Sequence, residues 1–111
     1  MELISVREAR SEQAVGREGL LRGWVRTRRD SKAGFSFIEL NDGSCLGNIQ
    51  IIADANLPNY ESEIKTLTVG SSLTVEGRVI ASGGKGQATE VQALKVTPVG
   101  AADAEAYPLQ K

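Results

Sequence analysis

Apolar and polar residues alternate with a period of two through most of this chain, and breaks in the alternation mark its turns. Leu20–Arg29 reads as a first strand, with Leu21, Val25 and Thr27 on one alternation and Gly23 marking a sharp bend or bulge inside it. A loop over Asp30–Gly34 leads to a second strand at Phe35–Leu40, an Asn41-Asp42-Gly43 turn, and a third strand at Leu46–Ala53. The period then changes. Leu57, Tyr60, Ile64 and Leu67 recur at steps of 3, 4 and 3, which predicts an amphipathic helix over Asn56–Leu67, capped by Asn56 with Pro58 in its first turn. A fourth strand is expected at Ser71–Ala81 and a fifth at Glu90–Val99, joined through the glycine-rich Ser82–Gly86 hairpin. Ahead of the strands, Ser5 and Glu8 have capping-box spacing, so a short helix is expected within Val6–Val15, ended by Gly16.

Strand-strand-strand-helix-strand-strand, preceded by a short N-terminal helix, describes an all-β fold with a capping helix. It is the order of the five-stranded OB-fold barrel, in which the helix plugs one end. A ferredoxin-like alternative needs a helix between the first two strands, and the Asp30–Gly34 loop is too short for one. Alternation also assigns faces. Ile38, Leu40, Ile49 and Ile51 go to the core, as do Val91 and Ala93, while Phe35, Phe37, Glu39, Asn48, Gln50, Glu90 and Gln92 look outward.

Composition narrows the chemistry. The 111 residues include no histidine and a single cysteine, Cys45. That excludes Ser-His-Asp and Cys-His catalytic constellations, His/Cys zinc sites within one chain, and an internal disulfide. Cys45, beside a turn, is expected to be a small structural residue. No apolar run approaches a membrane span, the first ten residues lack a signal-peptide core, and one reduced cysteine suits the cytoplasm. A net charge of −1 speaks against a general nucleic-acid binder. The distribution qualifies this, because residues 1–37 carry eight basic side chains against five acids, and the rest carries five against nine.

An outward Phe37 beside an outward Gln50 lies on the strands that OB-folds use for oligonucleotides. A ring there can stack on a splayed base, and a carboxamide can read a base edge. Arg26, Arg28 and Arg29 can hold phosphates, and Glu90 and Gln92 add candidate edge readers. Plainer readings stand beside these. The N-terminal helix could cover the phenylalanines, the arginines could be surface charge, and Trp24 is expected to be partly buried against that helix. The Gly83–Gly86 loop with Lys85 lacks the spacing of a phosphate-binding loop.

Gly23-Trp24-Val25-Arg26-Thr27-Arg28-Arg29-Asp30-Ser31-Lys32, Phe35-Ser36-Phe37-Ile38-Glu39-Leu40-Asn41-Asp42-Gly43-Ser44 and Asn48-Ile49-Gln50-Ile51-Ile52 together resemble the N-terminal anticodon-binding domain of asparaginyl-tRNA synthetases. The wider class, with aspartyl- and lysyl-tRNA synthetases, shares G-W-V, R-R-D, F-I-[DE]-L-x-D and [IV]-Q. The resemblance implies that Phe37 stacks on the central anticodon uridine, that Gln50 reads it, and that Arg29 and Glu90 contact flanking bases. Arg28 and Arg26 would be backbone contacts. It further implies a binding domain at residues 1–100 and, at 101–111, a hinge toward a catalytic domain that these residues lack. Such a chain would hold no cofactor and catalyse nothing alone. ATP and magnesium would belong to the catalytic domain of a cytoplasmic, homodimeric parent enzyme. A generic single-stranded nucleic-acid binder and a dimerisation or protein-interaction module are the alternatives.

Overall fold

The computed structural model describes residues 2–32, 34–82 and 89–100. The turns fall largely where the sequence places them: five strands, β1 (Glu18–Ser31), β2 (Phe35–Asn41), β3 (Ile49–Asp54), β4 (Ser72–Ala81) and β5 (Thr89–Gly100), form a closed barrel in the order β1-β2-β3-β5-β4. β1 closes it by serving two neighbours. Residues up to Trp24 pair with β4 and those from Trp24 onward with β2. Gly23 sits beside this change of partner, where a Cβ would lie 2.4 Å from the Asn41 carbonyl oxygen. β3 and β5 pair in parallel and all other pairs are antiparallel.

The inward alternation is as the sequence predicts. Ile38, Leu40, Ile49, Ile51, Val91 and Ala93 are buried, joined by Leu21, Val25, Leu73, Val75, Val79 and Val96. Thr27 departs from it. A bulge between Val25 and Thr27 inserts Arg26 as an extra residue, so Thr27 pairs with outward Glu39 and is exposed.

One barrel end is closed by α1 (Val6–Ala9), shorter than the Val6–Val15 expectation, followed by a 3-10 turn at Glu12–Ala14. The capping box forms as read: the Glu8 N–H donates to the Ser5 hydroxyl and the Ser5 N–H to the Glu8 carboxylate, each at 3.0 Å. Ile4, Val6 and Ala9 are buried there. Asp42 receives the Val6 N–H at 2.9 Å, and the Thr89 hydroxyl donates to the Ala9 carbonyl at 2.6 Å.

The opposite end corrects the helix expected over Asn56–Leu67. The segment is a chain of turns containing one short 3-10 helix, Ile64–Thr66. Its backbone bonds mix spans: Tyr60 N–H to Leu57, Glu63 N–H to Asn59, Ile64 N–H also to Asn59, and Lys65 N–H to Tyr60. Competing contacts explain this. The Asn56 N–H closes a turn on the Asp54 carboxylate instead of starting a helix, and the Asn59 side chain donates to the Val96 carbonyl at 2.7 Å. Pro58 contributes no N–H, and Asn and Tyr are weak helix formers. Tyr60, Ile64 and Leu67 nevertheless plug the barrel, each buried. The Ser82–Gly86 hairpin beyond Ser82 and the hinge at 101–111 lie outside the described residues.

Candidate nucleic-acid interface

The outward face of β2, β3 and the start of β5, with the end of β1 beside it, gathers most of the residues singled out by the sequence. Register does the assembling, because side chains directly opposite one another in paired strands share a face. Arg29 lies opposite Phe37, which lies opposite Ile52, which lies opposite Gln92. Thr27, Glu39 and Gln50 form the next row. The parity that puts Arg29 here comes from the bulge at Arg26. Were the same residues paired regularly, with no bulge, Arg29 would share the inward alternation of Val25.

The Arg29 guanidinium carbon sits 4.9 Å from the centre of the Phe37 ring, within cation–π range. Phe37 also meets Phe35 edge-on, with centroids 5.1 Å apart and an interplanar angle of 85°. Both rings are half-buried, and the N-terminal helix does not cover them, since α1 caps the far end of the barrel. Beside them the Gln50 amide nitrogen donates to the Glu90 carboxylate at 2.5 Å. Asn48 reaches toward Glu39 at 3.5 Å. The result is a ring with a cation over one face, next to a row of donors and acceptors, which suits stacking and edge reading of an unpaired base.

Arg26 is exposed at the bulge on the rim of this face. Arg28 is not brought to the face. It pairs with inward-facing Ile38, so its guanidinium turns to the plugged barrel end. There Nε donates to the Leu67 carbonyl at 2.9 Å and a terminal nitrogen to Asp30 at 2.6 Å. Asp30 in turn accepts from the Ser36 hydroxyl at 2.6 Å, and Ser36 meets the Tyr60 hydroxyl at 2.9 Å. The Ser36 hydroxyl, with Arg28 beside it, holds the Asp30 carboxyl below its ordinary range. Arg28 is therefore a tie between β1 and the plug.

Trp24 is 36% exposed, partly buried as expected, and lines a cleft of about 460 Å³ with Arg22, Asp42, Ser72, Thr74 and Val99.

The loop leading into β3 is held by contacts that no local pattern announces. The Asn41 amide donates to the Gly47 carbonyl and to the Asn48 side chain, at 2.9 and 3.0 Å. Arg10 donates to the Asn48 carbonyl at 2.8 Å across 38 residues of sequence. Its guanidinium fills the space a side chain at Gly47 would need, 1.9 Å from an added Cβ. Cys45 is half-buried in this loop and its thiol donates to the Gly47 carbonyl at 3.4 Å. Burial pushes the Asp42 carboxyl up, but the Ser44 hydroxyl and the Val6 and Ser44 N–H groups outweigh it and hold the group below its ordinary value.

The sequence and the fold both have known relatives. Residues 20–99 match the model of an OB-fold nucleic acid binding domain of the tRNA anticodon type. Over all 111 residues the chain is 49% identical to the asparagine–tRNA ligase of Rhodopirellula baltica, covering 23% of that protein. It is 58% identical over 89 residues, 80% of its length, to the Desulfotalea psychrophila ligase, covering 20% of it. It thus spans between a fifth and a quarter of the curated relatives it matches. Its backbone superposes on the asparaginyl-tRNA synthetase of Pyrococcus horikoshii with a TM-score of 0.79 and 24% identity, over 94% of this chain and 24% of that one. With the barrel, its outward aromatic face and the match across β1 to β5, the chain belongs to the anticodon-type family of OB-fold nucleic acid binding domains, in the form found in asparagine–tRNA ligases.

Proposed function

We propose that this chain recognises the anticodon loop of the asparagine tRNA, with Phe37 stacking on the central uridine and Gln50 bonding to its edge. The carrying observation is the Arg29–Phe37 and Gln50–Glu90 pairs side by side on the outward face of β2, β3 and β5. Arg29 then meets a flanking base and Arg26 the sugar-phosphate backbone, Glu90 stands bonded to Gln50 beside the central base, and Arg28 holds the scaffold. In a ligase this contact adds specificity to the ATP-dependent joining of asparagine to its tRNA. ATP and magnesium would be held by the catalytic part of such an enzyme, outside these 111 residues, and a homodimeric, cytoplasmic enzyme is the setting we infer.

Titration of the 111-residue chain with an anticodon stem-loop tests this reading. Phe37→Ala and Gln50→Ala should each weaken binding by about 1–3 kcal/mol, or roughly 5- to 150-fold. Equal affinity of both variants and the parent would refute the assignment of this face. Homopolymer competition addresses a generic single-strand binder. The described outward face has Phe35 and Phe37 as neighbouring rings packed on each other, and an extended series of stacking platforms calls for more.

A further inference from the structure

We infer that Glu90 acts through Gln50, as a positioning residue that sets the hand of its amide and so selects uridine over cytidine at the central position. The inference rests on the reading of this face as an anticodon reader. It starts from one hydrogen bond, the 2.5 Å contact between the Gln50 amide nitrogen and a Glu90 carboxylate oxygen. A carboxamide has two nearly isosteric ends, a donor nitrogen and an acceptor oxygen, and can usually turn either way. Against an ionised carboxylate it cannot, because that group only accepts, so the nitrogen must face Glu90. Both residues are half-buried on adjacent strands, and the parallel β3–β5 register at Ile51–Val91 holds their backbones together.

Orientation matters because uridine and cytidine differ at the edge by exchanging donors and acceptors. Uridine offers an acceptor at O4 and a donor at N3, and cytidine offers a donor at N4 and an acceptor at N3. A free glutamine can serve both bases by turning its amide over. A base held in place by the Phe37 ring cannot slide to meet the wrong hand. With one amide hydrogen committed to Glu90, the other hydrogen and Oε1 remain as a donor–acceptor pair of single hand. Turning the amide to suit the other base would set Oε1 against the carboxylate, two acceptors at hydrogen-bond distance with no proton between them. Discrimination at the central base thus depends on a residue that need not touch that base.

The test is stem-loop binding by the parent chain, Glu90→Gln, Glu90→Ala and Gln50→Ala, using loops with uridine or cytidine at the centre and loops varied at the flanking positions. Glu90→Gln keeps the shape but can either donate or accept, which frees the amide. The uridine-to-cytidine affinity ratio should fall about tenfold in both Glu90 variants, the scale of one good two-point base contact, while flanking preferences change less. NMR of the free chain gives a readout without RNA: the Gln50 side-chain amide protons should be distinctly shifted in the parent and lose that shift in Glu90→Gln. If Gln50→Ala abolishes the uridine preference but both Glu90 variants keep it, the positioning role is wrong. A changed preference only at a flanking base would make Glu90 a direct reader instead, and also overturn it. If the parent shows no central preference and Gln50→Ala binds as the parent does, the reading of the whole face fails, and this inference with it.

Discussion

Arg28 and Arg29 are neighbours in sequence with opposite placements, and matched substitutions separate their roles. Arg28→Met and Arg29→Met remove the charge and keep the apolar stem, so packing loss is minimised. Arg28 makes two charge-assisted bonds, to the Leu67 carbonyl at 2.9 Å and to Asp30 at 2.6 Å. The Asp30 pair is partly exposed, with side chains 21% and 42% accessible, so screening limits it to about 0.2–1 kcal/mol. The Leu67 bond is part-buried, and losing its donor strands a carbonyl, at a cost of about 1 kcal/mol or somewhat more. Together Arg28→Met should lose about 1–2 kcal/mol, a fall in Tm of roughly 5–15 °C for a domain of this size. Arg29 loses a surface ring contact, about 0.5–1 kcal/mol. Urea unfolding followed by circular dichroism, with stem-loop titration of the same samples, gives both readouts. The expected outcome is a crossing: Arg28→Met is less stable with near-parent affinity below its unfolding midpoint, and Arg29→Met is close to parent in stability with weakened binding. An Arg28 variant as stable as the parent, with weakened RNA binding, would refute the reading of Arg28 as a tie to the barrel plug.

Two further outcomes follow from the scaffold. Asp30 and Asp42 have carboxyls held below the ordinary value of 3.8 in the fold, so their contribution is complete above that value and declines as pH falls through the lower folded values. Denaturant midpoints should therefore drop on acidification below about pH 4, and less steeply in Asp42→Asn. Ile64 is fully buried in the irregular plug, so Ile64→Ala should destabilise by about 2–5 kcal/mol, measured by urea unfolding. A loss below 1 kcal/mol would mean that the plug is not part of the cooperative core.

The scaffold and its site were legible to different degrees. Strand parity places Ile38, Leu40, Ile49 and Ile51 inside and Phe37, Gln50 and Glu90 outside, because a closed barrel buries one face of every strand and a period of two leaves no third option. The capping box at Ser5 and Glu8 is equally local and forms as written. Residues that depend on partners far along the chain were not legible. The spacing of Leu57, Tyr60, Ile64 and Leu67 correctly marks the buried side of the plug, yet period alone cannot distinguish a helix from turns that repeat at similar steps. What bends the segment is the Asn59 bond to Val96, 37 residues away.

The sequence by itself determined which positions seek the core, where the chain turns, and which side chains could stack on and read a base. The tertiary structure decided which of them meet. β1 must leave β4 for β2 to close the barrel, and the bulge at Arg26 just beyond that exchange resets the alternation. That one extra residue sends Arg29 out beside Phe37 and Arg28 in toward Leu67. The Gln50–Glu90 bond likewise joins strands 40 residues apart, and only the parallel pairing of β3 with β5 brings them together. Parity along a strand is a local property, whereas the point at which it is reset is set by closure of the barrel as a whole.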